Sequence, residues 1–446
     1  MSADRPINAD MPSTEELEPA SEEKPAAPAS AAEPAKTAAA DTAPMPPAAS
    51  KPPQPSKPTR PPKPRRRPKP LTPKLLALLV IVAIGFIVAA ILGGTGGGKD
   101  ESGAAPEAPP SGAQPGAAGG GGASELGFPG FATNNTTRVG GADPAANAAA
   151  VALAVYPSTT ASQRPRSVTL VDQGNWAGAI AAAVLMAAPA RAPILLTDGG
   201  AQPAATEEAL TALDPKQTNE LSSGAAAAAA AEAADLRDQL LPKPPAHIVI
   251  APENAPEFAM PAAAWAARSG DPVLFAGGDD LPAPTVAYLE KHKQAPIYLL
   301  GPASVLSSEL LREADEIGGA ATRVAAEDPV ANAVAFARFS EDGFGWNIND
   351  PGHGFVLVRE DAPLNAAAAA PLSASGTWGP LLLTDSAGTL PAEVRDYFLD
   401  VKPGYTDNPT RAFYNHVWVI GDQEAIDVTQ QAEVNELAEL EKIGGG

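Results

Sequence analysis

One short phrase recurs three times in this 446-residue chain and restricts the fold more than any other feature. It reads Ala-Pro-Ile-Leu-Leu-Thr-Asp at 192–198, Asp-Pro-Val-Leu-Phe-Ala-Gly at 271–277 and Gly-Pro-Leu-Leu-Leu-Thr-Asp at 379–385. A second proline follows each copy: Pro203, Pro282 or Pro391. Proline suits the first turn of a helix, whose N–H groups lack partners anyway. A short apolar strand followed by a proline-led helix is therefore the repeated step. Repeats of this kind define the architecture before any single residue does.

Around that step, three units can be laid out, at 131–220, 221–320 and 321–446. The heads of units one and three match at Thr, Arg, Val, Asp, Pro, Ala, Asn and Ala, from Thr137 to Ala148 and from Thr322 to Ala333, a constant offset of 185 residues. Unit two, near 221–236, keeps the helix-forming alanines but not the Arg and Asp, so its head is degenerate. Strands are expected at 167–171, 194–197, 247–251, 273–276, 297–300, 355–358, 381–384 and 416–420. Unit one is expected to lack a third strand, and a tail helix is expected over 425–443. The strands are continuous apolar runs rather than alternating ones, which fits parallel sheets covered on both faces. Alternation of strand and Ala-rich helix makes the class α/β.

The N-terminal part obeys different physics. Residues 1–70 are Pro, Ala, Glu, Ser and Lys with few large apolar side chains. Such a tail cannot bury enough surface to offset its chain entropy and is expected to be disordered. Between Leu75 and Leu92 runs an unbroken apolar stretch of 18 residues. At 1.5 Å per residue it spans about 27 Å, the thickness of a hydrocarbon core. A transmembrane helix is expected over 73–94, acting as a retained signal anchor because the leader before it is too long for a cleaved one. Seven Lys and Arg precede the span between Arg60 and Lys74, so the N-terminus is expected in the cytoplasm and the C-terminal part outside. Residues 95–130 are expected to form a flexible Gly/Pro linker.

Charge narrows the partners. Residues 1–94 carry 12 Lys and Arg against 9 Asp and Glu, whereas the remainder carries 19 against 43. The exported part is thus strongly acidic, and nucleic acid, which needs a basic footprint, is disfavoured. There is no cysteine, so disulfides and thiolate metal sites are excluded. The heavy use of Ala, Gly and Pro suggests a GC-rich, actinobacterial-like genome.

Several motifs occur in a fixed order: Arg138-Val139-Gly140-Gly141, then Gly174-Asn175-Trp176-Ala177-Gly178-Ala179, then Ala192-Pro193-Ile194-Leu195-Leu196-Thr197. Unit two adds Glu253-Asn254-Ala255-Pro256-Glu257 and Leu299-Leu300-Gly301. In this the segment 137–421 resembles the bacterial cell-wall-binding repeat 2 family. The resemblance implies three tandem Rossmann-like units in a pseudo-trimeric arrangement, and attachment to anionic wall polymers. The chain departs from the family pattern where a loop aspartate becomes Gly178, Glu257 and Asn365, and where an Arg-Tyr after the head is missing.

Candidate ligand-binding residues are Arg138, Asn147, Trp176, Arg323 and Asn332. The two Arg–Asn sets stand at strand–helix junctions, where free N–H groups can meet anions; they equally suit internal pairing. Asp143 and Asp328, each directly before proline, read as N-caps. Trp176 is the tryptophan placed for glycan stacking. No catalytic residue, metal site or cofactor is assigned. The expected function is non-enzymatic binding of cell-wall polymer, with or without a bridging cation, by a protein held in the bilayer through one span. One alternative is an envelope carbohydrate-active hydrolase, which requires Asp172, Glu257 and Glu360 to share a cleft. Another is a protein–protein scaffold.

Overall fold

The computed structural model describes residues 131–444 except 133, 223 and 242. The expected tail 1–70, transmembrane helix 73–94 and linker 95–130 therefore lie outside the described residues. Within the described residues no helix is long and apolar enough to cross a membrane.

Unit one contributes β1 (Phe131–Ala132), β2 (Thr136–Val139), α1 (Pro144–Val155), β3 (Ser167–Asp172), α2 (Trp176–Ala182), β4 (Ile194–Thr197), α3 (Ala204–Leu213) and β5 (Gln217–Glu220). Unit two follows with α4 (Ala226–Leu240), β6 (Ile248–Pro252), α5 (Pro256–Ser269), β7 (Val273–Ala276), α6 (Ala283–Lys291), β8 (Ile297–Leu300) and α7 (Ser308–Ile317). Unit three has β9 (Ala321–Val324), α8 (Pro329–Arg338), β10 (Gly354–Arg359), α9 (Pro363–Ala374), β11 (Leu381–Thr384), α10 (Ala392–Asp400), β12 (Gly404–Tyr405), β13 (His416–Ile420), α11 (Val428–Leu437) and β14 (Glu441–Lys442).

The recurrent phrase is the second strand of each unit: β4, β7 and β11 all pair in parallel with the central strands β3, β6 and β10. Pro203, Pro282 and Pro391 sit at the N-caps of α3, α6 and α10. Three residues on, Thr206 donates to Leu196 O and Thr285 to Phe275 O, at 2.6 and 2.7 Å, stapling each helix to its strand. Unit three has the buried Val394 at that place.

The sheets do not follow the sequence boundaries of the units. β9, the head of unit three, pairs in parallel with β8 of unit two. β2, the head of unit one, pairs in parallel with β13 of unit three. Each head strand thus completes the sheet of the preceding unit, and β2 closes the cycle from the far end of the chain. Unit one departs from its expected form. Its third strand is present as β5, but it reads Gln-Thr-Asn-Glu, so apolar content did not reveal it. Among the described residues no strand covers the outer edge of β5. A short polar edge is one way to discourage further pairing. The expected tail helix is also shorter, running from Val428 to Leu437 before β14.

The head helices bridge neighbours. α1 packs on α9, α4 on α2 and α8 on α5, while each also covers the second strand of its own unit, β4, β7 or β11. The Ala-rich α2, α5 and α9 pack on one another at the centre. Alanine allows this, because helices with small contact faces approach closely. One hydrophobic core runs through all three units, from Val139 to Ala438. The arrangement is that of three repeated α/β units around a common centre.

Candidate ligand site at the seams between units

Arg138 is buried on β2 and reaches into unit three. Its Nε and Nη2 donate to Gln431 Oε1, at 3.1 and 2.8 Å. Nη1 donates to Gly421 O and Asp422 O, and Nη2 also to Ile426 O. Five donor contacts match the five N–H groups of a guanidinium, so none is left for a ligand. Burial pushes the Arg138 pKa down, and Asp422 and Asp427 partly offset this. Arg323 does the same at the other seam with fewer bonds: Nη1 to Gly301 O at 2.8 Å and Nη2 to Ser307 O at 2.9 Å. Both arginines therefore hold the loop that follows the third strand of the preceding unit. They lie in separate seams and do not line one groove.

The aspartates are caps. Asp143 accepts from Ala145 N at 2.9 Å and Asp328 from Ala331 N at 2.8 Å. Asn147 and Asn332, fourth residues of α1 and α8, reach back to Gly141 N and Ala326 N. Gly140 permits this approach: its φ of +100° suits glycine, and a Cβ there would run into the Asn147 amide. The other amide end separates the two. Asn147 Nδ2 donates to Asn365 Oδ1 of α9 at 3.0 Å, whereas the buried Asn332 Nδ2 has no partner among the described residues. Asn365 is the third residue of α9; the third residue of α5 is Phe258, which offers no acceptor.

Trp176 opens α2 instead of lying in a loop. Its ring meets Phe275 of unit two edge-on at 5.5 Å. Its other surroundings form a cavity of 490 Å³ between units one and three. Trp176, Gln173, Arg359, Asp361, Asn365 and Glu424 supply its functional groups. Arg359 Nη2 pairs with Asp361 at 2.8 Å, while Arg359 Nε is buried without a partner among the described residues. Open α/β sheets place ligands beyond the carboxyl ends of their strands; this cavity lies just past Arg359, the last residue of β10. Arg138 supports its wall from behind by fixing the 421–426 loop that carries Glu424. Of the five sequence candidates, Trp176 lines the cavity, Arg138 and Asn147 brace it, and Arg323 and Asn332 sit at the other seam.

The three carboxylates required for hydrolysis divide. Burial raises the Glu360 pKa, helped by Asp385 and Glu257 nearby. Asp172 lines a different cavity of 410 Å³ with Thr197, Glu220 and Ser222, and its carboxylate accepts from Gly174 N and Gly200 N. Among the described residues no group of three or more His, Asp or Glu could hold a metal ion.

These features define three α/β units around a common centre, with a ligand-sized cavity between units one and three. No protein-family model matches the chain, and no curated protein matches it. Among solved structures the fold is similar to Cwp6 from Clostridium difficile, with a TM-score of 0.55 and 18% identity over 68% of this chain and 48% of that one. It is also similar to Cwp8 from Clostridium difficile, with a TM-score of 0.52 and 16% identity over 69% of this chain and 52% of that one. The chain thus spans about half the length of either structure. At these identities the likeness establishes a shared fold.

Proposed function

We propose that this chain is a non-enzymatic cell-envelope protein, anchored in the membrane by 73–94, whose exported part binds cell-wall polymer at the seam of units three and one. The observation that carries the reading is the cavity at Trp176. It offers an indole, an arginine with an unpartnered buried N–H, and amide and carboxylate groups within one ligand-sized space. Saccharides are bound by this mix of a flat apolar face and convergent polar groups. The fold shared with Cwp6 and Cwp8, cell wall proteins of Clostridium difficile, supports the same location.

Because the exported part is acidic, a divalent cation is the expected bridge to an anionic polymer. Cosedimentation of the protein with purified cell walls, with and without Ca²⁺, tests this. The protein is expected in the pellet, more so with Ca²⁺, and Trp176→Ala is expected to bind about tenfold more weakly. Failure to pellet under both conditions would sink the proposal.

A further inference from the structure

A further cavity, of 360 Å³, lies at the seam of units two and three, at the amino ends of the strands. Three of the five tryptophans in the chain line it: Trp265, Trp346 and Trp378. Trp346 meets Trp265 edge-on at 5.5 Å and lies roughly parallel to Trp378 at 6.3 Å. Trp346 comes from 339–353, the connection between α8 and β10.

The polar groups of the wall differ in how they are satisfied. Asp271 accepts from His247 N and from Trp265 Nε1, each at 3.0 Å, and faces His247 Nδ1 at 3.1 Å. His247 Nε2 faces Asp342 O at 3.3 Å. The buried carboxylate is thus already matched. Arg268 is not. Its guanidinium stacks on Trp378, 4.1 Å from the ring centroid, with no hydrogen bond or ion pair among the described residues. Partial burial against Trp378 lowers its pKa. The Trp346 Nε1 donor is likewise buried without a partner among the described residues.

A partly desolvated guanidinium, held flat on an indole with its N–H edge free, gains most from an anion. Apart from Trp346 Nε1, the other polar side chains of the wall are already paired. A polyol would surrender its hydration there for few new bonds. We infer that this cavity binds a small organic anion, a carboxylate on a compact apolar body, through Arg268. The inference does not depend on wall binding, which concerns the other seam.

Titration of the full chain with cyclohexanecarboxylate, read by tryptophan fluorescence, tests it. Saturable change is expected with the carboxylate and none with cyclohexylmethanol, its uncharged analogue. Arg268 is exposed at the end of α5, so Arg268→Gln should keep the fold, checked by circular dichroism, and weaken binding about tenfold or more. Trp176→Ala should leave the titration unchanged. The inference is overturned if the wild type shows no saturable response. It is equally overturned if the alcohol or glucuronate binds as tightly as the carboxylate, or if Arg268→Gln binds like the wild type.

Discussion

The seam between units three and one and the seam between units two and three are built from the same parts. Each has a Thr-Arg-Val strand laid on a preceding third strand, an Asp-Pro helix start and an asparagine at the fourth helical position. At the first seam the arginine uses five N–H contacts and the asparagine finds Asn365. At the second the arginine uses two, and Phe258 stands where the acceptor would be. One set of repeated backbone thus supports a polar seam and an apolar one. The side chains brought by the neighbouring unit decide which, and with it where a polar ligand cavity forms.

The comparison breaks most readily at the arginines. Arg138→Met would orphan three backbone carbonyls and Gln431 Oε1, at a cost of about 3–4 kcal/mol. Arg323→Met, with two acceptors in a half-buried setting, should cost about 1–2 kcal/mol. Chemical unfolding of both variants measures the difference, and equal losses would show that the two seams do not differ in this way. A smaller effect is expected at the asparagines. Asn365→Ala leaves Asn147 Nδ2 buried and unpaired, as Asn332 Nδ2 already is, and should cost about 1–2 kcal/mol in the same assay.

Acidity sharpens the contrast. His247, in unit two, holds the 341–345 loop of unit three. Burial opposes its charge, but Asp271 and the Asp342 carbonyl outweigh this and raise its pKa above 6.5. A raised pKa means the contribution is complete below the unfolded value and fades as pH rises through the folded one. Asp238, within unit two, has the opposite sign. Burial again opposes its charge, but hydrogen bonds from Lys291, His292, Arg237 and Tyr288 bring its pKa below 3.8. Its contribution is present above that value and is lost as pH falls through the folded one. Unfolding followed across pH should therefore show a loss on the alkaline side that His247→Gln abolishes, and one at acid pH that Asp238→Asn abolishes. The smallest effect is expected at Thr206→Val, about 1 kcal/mol or less by thermal unfolding, because Val394 already serves unit three at that place.

The strands, proline-led helices and Asp-Pro caps were legible because each has a local chemical cause: continuous apolar runs, fixed φ, a carboxylate beside free N–H groups. β5 was not, since Gln217–Glu220 is a strand on account of its neighbour β3 and not its own composition. Nor was the exchange of head strands, for Thr-Arg-Val reads the same whichever sheet receives it. Trp176 was found as a lone aromatic after a strand, and the cavity does include it. Arg359, Asp361 and Asn365 complete the site only because α9 of unit three packs beside α2. The Trp265–Trp346–Trp378 cluster was missed in the same way, because its three rings come from separate segments that only the packing of units two and three brings together.

The closure by β2 has a mechanical side. Everything N-terminal to Thr136 connects to the three units through β1 and β2, and β1 is only two residues long. Tension applied from the N-terminal side would be delivered first to the four parallel pairings from Thr136↔Val417 to Val139↔Ile420, with the Arg138 contacts beside them. Those bonds act as a latch. Released under load, they would free β2 from the sheet of unit three, while the packing of α1 and α2 on α9 would still hold units one and three together.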